Sequence, residues 1–159
     1  MPLIRANLSF PSVILCALVA QFFLESGTVP MREVVFTKDA PQAVGPYSQA
    51  IRANGFVFVS GQVAIDPATQ QVIVGDVKAQ TDRVLRNLSE ILEAAESGLG
   101  RVVRCGVFLK NIGDFAAMNE VYGKYFSTAP PARTTVEVAR LPKDVLVEID
   151  VIALAKQEP

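Results

Sequence analysis

Residues 130–153 read PPARTTVEVARLPKDVLVEIDVIA. Two runs of strand-like composition flank the turn-like segment ARLPKD. Side chains alternate across a strand, so Arg133, Thr135 and Glu137 share one face of the first run and Thr134, Val136 and Val138 take the other. In the second run Val145, Val147, Ile149 and Val151 oppose Leu146, Glu148, Asp150 and Ile152. If ARLPKD closes a hairpin, both apolar faces seek the core together, and Arg133 then shares a surface with Glu148 and Asp150. Pro130 and Pro131 stiffen the approach to Arg133. A guanidinium held in place offers a planar fork of donors suited to a carboxylate. The plain reading of these charges is an interface salt-bridge network or a solvated outer face. The sharper reading is a small-acid pocket between subunits.

Upstream, the sequence alternates from Met31 onward. MREVVFT and SQAIRA read as strands, separated by the Pro/Gly-punctuated loop KDAPQAVGPY. Asn54–Gly55 is a hairpin signal leading into the strand FVFVSGQVA. A helix is predicted from about Asp76 to Glu96, because Val77, Val84, Leu85, Leu88, Ile91, Leu92 and Ala95 recur at helical spacing. Asp76 is its expected N-cap and Gly98 its expected stop. RVVRCGVFLKNI follows as a strand and DFAAMNEVYGKYF as a second helix. The order is βββαβαββ, which predicts an α+β domain: a two-layer mixed sheet with two helices on one face. Several strands are apolar on both faces while helices cover only one. The open face therefore calls for another copy of the same chain.

Composition narrows the function classes. The chain has 159 residues, half of them hydrophobic, and a net charge of −1. It shows no basic stripe for nucleic acid and no polybasic run for an anionic membrane. Histidine is absent, which removes Ser-His and Cys-His catalysis and most zinc sites. Cys16 and Cys105 make no disulfide framework. Residues 1–30 differ in kind. Their apolar run from Val13 to Leu24 is shorter than a membrane span of about 20 residues, and it lacks a good signal-cleavage pattern. They read as an extension outside the fold, from an over-long start or a weak targeting segment, ahead of a cytoplasmic domain at 31–159.

Further candidates are Tyr47 at the end of the GPY loop, Ser60–Gly61 at a strand end, and Asn119 on the second helix. Their ordinary readings are a half-buried aromatic, a bulge, and a capping or interface hydrogen bond. Cys105 reads as core. Together GPYSQA, FVFVSGQ, FLKNIGDFAAMNEVY and the 130–153 segment resemble the Rid family (reactive intermediate deaminases, formerly YjgF), in its RidA branch, over essentially all of 31–159. The resemblance implies a chorismate-mutase-like fold and a homotrimer with clefts between subunits. It also implies cofactor-independent hydrolysis of 2-aminoacrylate, 2-iminopropanoate or 2-iminobutanoate to a 2-keto acid and ammonia, protecting pyridoxal-phosphate enzymes. By motif, Arg133 corresponds to the carboxylate-binding arginine and Glu148 to the glutamate that holds the attacking water. Tyr47, matching the tyrosine of the GPY loop, is counted with these two as catalytic, and Ser60, Gly61 and Asn119 correspond to substrate-binding residues of the cleft. Thr135 stands where many members have cysteine. Two other functions compete: a non-catalytic carboxylate-binding or regulatory trimer, and an RNA-acting translation inhibitor, which the neutral charge disfavours.

Overall fold

The computed structural model describes residues 32–156. The expected extension at 1–30 lies outside the described residues. Six strands, β1 (Glu33–Val35), β2 (Ala50–Ala53), β3 (Phe56–Val63), β4 (Val102–Leu109), β5 (Ala132–Glu137) and β6 (Val147–Leu154), form one sheet. Two α-helices, α1 (Val77–Ala94) and α2 (Phe115–Tyr125), follow β3 and β4. The βββαβαββ order and the α+β class are as expected.

The strand order is β1-β2-β3-β6-β4-β5, and this overturns the hairpin reading of 130–153. β5 lies parallel to β4, while β6 is antiparallel to both β3 and β4. The two runs of the signature segment are therefore separated by β4. Burial explains the exchange. Val147, Ile149, Val151 and Ala153 of β6 are essentially solvent-free, so β6 belongs at the centre. β5 directs Arg133, Thr135 and Glu137 toward the same face and takes the edge. A parallel β4–β5 pair needs a crossover helix, and α2 supplies it.

Register fixes the faces. Cys105 pairs with both Val151 and Arg133, and Val107 pairs with Ile149 and Thr135. These residues face the helices. Phe58 with Ile152, Phe56 with Leu154, and Phe108 with Glu148 face away. On that outer face Phe56, Phe58 and Leu154 are each about two-fifths exposed, at 38%, 44% and 42%.

Helix α1 drives Val84, Leu85, Leu88, Ile91 and Leu92 into the core, all fully buried. Truncating one such leucine to alanine costs about 2–5 kcal/mol. The Asp76 side chain accepts the Ala79 N–H at 2.9 Å, as its N-cap reading required. The C-terminus is not closed by Gly98. Glu96 takes the left-handed turn at φ 54°, with its N–H donating to the Glu93 carbonyl and the Ser97 N–H to the Leu92 carbonyl. This is a Schellman closure built without glycine; Gly98 lies two residues beyond, in extended backbone at φ 174°.

Candidate functional site

The side chain of Glu148 lies on the outer sheet face, with Val63 of β3 and Phe108 of β4 as its register neighbours. The β3–β6 register slips between Val59 and Gln62, so Ser60 and Gly61 together oppose Asp150. This bulge gives the glycine a purpose. A Cβ on Gly61 would overlap Oε1 of Glu148 and stand 3.0 Å from its Cδ, so only glycine leaves room for the carboxylate. Among the described residues Glu148 makes no hydrogen bond or ion pair. Burial, and then the charge of Asp150, raise its carboxyl above the usual value of 4.5. Asp150, in contrast, is engaged: it accepts the Gly106 N–H at 3.2 Å and an N–H of Arg104 at 3.4 Å.

Glu148 opens into a cavity of about 550 Å³ that Tyr47, Ser60, Gly61, Gln62 and Lys143 also line. Loop 38–47 is held there by the buried Gln49. Its side chain accepts the Thr37 N–H at 2.7 Å and donates to the carbonyls of Thr37 and Pro41 at 3.0 and 2.8 Å. Tyr47 emerges from this loop half-exposed. The Ser60 hydroxyl is committed to the Ser48 carbonyl at 2.7 Å, so Ser60 offers a ligand its place in the wall more than a free donor.

Arg133 is elsewhere. It lies on the helix-facing side of β5, and its Nη1 donates to Oδ1 of Asn119 at 2.8 Å. Its guanidinium carbon stands 4.5 Å from the Tyr122 ring centroid and 5.6 Å from that of Phe115. A second hollow of about 370 Å³ is bordered by Arg133, Asn119, Tyr122, Pro130 and Pro131. Glu137, on the same strand face, accepts the Ile112 N–H at 2.8 Å, and within one copy Arg133 has no carboxylate partner among the described residues. Behind it, the hydroxyls of Thr135 and Tyr122 are buried without hydrogen-bond partners among those residues. Burial pushes the Tyr122 hydroxyl far above its ordinary range and raises the Cys105 thiol. Cys105 is a free, buried core residue.

The expectation that Arg133 and Glu148 share a surface is therefore corrected. Because β5 is parallel to β4 and not hairpinned to β6, the alternation puts the two on opposite faces. The candidates fall into two groups. Tyr47, Ser60, Gly61 and Glu148 line one cavity; Asn119 and Arg133 border another. Sequence reasoning missed Lys143, which lines the Glu148 cavity from a left-handed backbone position at φ 55°. It also missed the pinning role of Gln49 and the contacts of Phe115 and Tyr122 with Arg133. The signal for the last was the spacing 115, 119, 122, one stripe of a helix.

Comparison with known proteins adds the family. The profile described as Endoribonuclease L-PSP matches residues 37–155. The chain belongs to this family, also called YjgF/Rid. A RutC family protein of Pyrococcus horikoshii is 55% identical over 123 residues, covering 77% of this chain and 98% of the relative. The chloroplastic Reactive Intermediate Deaminase A of Arabidopsis thaliana is 45% identical over 122 residues, covering 77% of this chain and 65% of the relative. Among Rid structures, RidA from an Antarctic Psychrobacter superposes with a TM-score of 0.74 at 43% identity, covering 77% of this chain and 98% of that one.

Proposed function

We propose that the protein hydrolyses small 2-imino acids and their enamine tautomers to 2-keto acids and ammonia, in a homo-oligomer whose site is shared between copies. The observation that carries the reading is the Glu148 carboxylate: unpartnered among the described residues, seated over Gly61, raised in pKa and open to a cavity. Family membership and the resemblance to a reactive intermediate deaminase support it.

The chemistry asked of the site is modest. An enamine tautomerises to the imine by gaining a proton at its β-carbon and losing one from nitrogen. Glu148 orients a water and takes its proton as the oxygen attacks the imine carbon. That proton passes to nitrogen to give the carbinolamine; Glu148 then takes the hydroxyl proton and delivers it to the same nitrogen, the carbon–nitrogen bond breaks, and ammonia leaves as the carbonyl forms. A carboxyl whose pKa is raised by burial holds the transferred proton better than an ordinary glutamate. No electrons are exchanged with any acceptor; water supplies the oxygen. Arg133 from a second copy binds the substrate carboxylate, which orients the imine and makes its carbon more electrophilic. The doubly apolar sheet predicts that copies associate through the outer face, and the family resemblance makes the expected assembly a trimer.

The test couples a threonine or serine dehydratase to this protein and follows keto-acid release. Release faster than spontaneous hydrolysis, proportional to added protein, is the expected result. Binding of 2-ketobutyrate with no acceleration would replace the enzyme by a carboxylate-binding module.

A further inference from the structure

We propose that Phe115 and Tyr122 of α2 are positioning residues that hold the Arg133 guanidinium open for a carboxylate, together with Asn119. This rests on the reading above, in which Arg133 binds the substrate's carboxylate.

Three of the seven other arginines among the described residues are held beside a carboxylate. Arg52, Arg86 and Arg104 each lie within 4 Å of a carboxylate, at 3.5, 2.8 and 3.4 Å. Such a partner fixes a guanidinium but also neutralises it and occupies its fork. Arg133 is held by other means. Asn119 takes one N–H through a neutral amide oxygen, at 2.8 Å. Tyr122 and Phe115 offer ring contacts at 4.5 and 5.6 Å, and a ring uses the cation's charge without accepting an in-plane N–H. Glu137, the carboxylate nearest along the same strand face, is drawn off to the Ile112 N–H. The cation thus keeps its full charge and most of its donors. The three holding residues recur at i, i+4 and i+7, so one helical face presents them together. That face is itself rigid: Tyr122 is 4% exposed, and its ring lies 4.6 Å from that of Phe126.

The role separates from the rest of the site because it acts only through Arg133. In the full-length protein, Tyr122→Leu and Phe115→Leu should each lower kcat/KM by about two- to thirtyfold, the range of a cation–π contact. The loss should fall mainly on KM and on 2-ketobutyrate affinity. Tyr122→Phe, which keeps the ring, should recover most of it.

The deciding measurement is a double-mutant cycle on kcat/KM with Arg133→Ala. If the rings act through the arginine, neither leucine substitution costs anything further once Arg133 is gone. Should Tyr122→Leu unfold the core, Phe115→Leu carries the cycle, since Phe115 is 39% exposed. An equal loss in both backgrounds, or no loss in the Arg133 parent, overturns the positioning role and leaves the proposed reaction standing. An Arg133→Ala protein with full kcat/KM overturns the positioning role together with the assignment of Arg133 to the substrate carboxylate.

Discussion

Arg133 and Glu148 lie on opposite faces of one sheet: Arg133 pairs across to Cys105 on the helix side, and Glu148 pairs to Phe108 on the outer side. A reaction that uses both on one small substrate cannot be run by a single copy of this fold. The proposed function meets this separation with a site assembled from two copies.

Arg133→Ala should lower kcat/KM about ten- to hundredfold, the equivalent of losing one charge-assisted hydrogen bond of about 1.5–3 kcal/mol. Arg133→Lys should fall between, because it keeps the charge and loses the planar fork. Steady-state kinetics beside light scattering checks this. Loss of the assembly along with the activity would restore the view of Arg133 as an interface contact.

Glu148→Gln should keep 2-ketobutyrate binding and lose turnover, since an amide cannot take the water's proton. In the parent protein the acidic limb of kcat/KM should follow Glu148. The group must be ionised to act as base, so activity falls as pH drops through a midpoint above 4.5, the ordinary value from which burial raises it. A limb at or below 4.5 would remove Glu148 as the base.

Gly61→Ala places a methyl group against the Glu148 carboxylate. The obstructing atom is the end of a flexible side chain, so the fold should survive with a melting temperature within a few degrees of the parent, about the shift 1 kcal/mol produces. The displaced carboxylate should cost about a hundredfold in kcat. Unchanged turnover would show that the seat over Gly61 is incidental.

Phe58→Glu buries a charge wherever the outer face is covered by another copy. Mass by light scattering should fall to that of one chain, and activity should fall with it. A monomer that keeps full activity contradicts a shared site.

Much of the fold was legible because hydrophobic period and turn chemistry are local. The α1 stripe, the Asp76 cap and the Asn54–Gly55 turn each declare themselves within a few residues. Strand order did not. The composition of β5 and β6 suits a hairpin as well as it suits two strands parted by β4; what decides is which strand fills the centre, a property of the whole sheet. The same blindness misplaced Arg133 relative to Glu148, since alternation gives the faces within a strand but not between unpaired strands. Gly61 was visible as a place for close approach, though not that the approaching group was Glu148. Phe115 and Tyr122 fall within the expected second helix, but their contact with Arg133 depends on where β5 lands.

Subunit complementation tests the shared site most directly. Glu148→Gln chains are expected to be inactive alone, and Arg133→Ala chains to keep about a tenth to a hundredth of parental kcat/KM. Unfolded together in equal amounts and reassembled, they form mixed oligomers in which some sites draw Arg133 from one chain and Glu148 from the other. For a cyclic assembly with one site per interface, random mixing makes about one site in four intact, so about a quarter of wild-type activity should return. Mixed oligomers that form, as shown by mass spectrometry of differently tagged chains, yet recover no activity would contradict a site built from two copies.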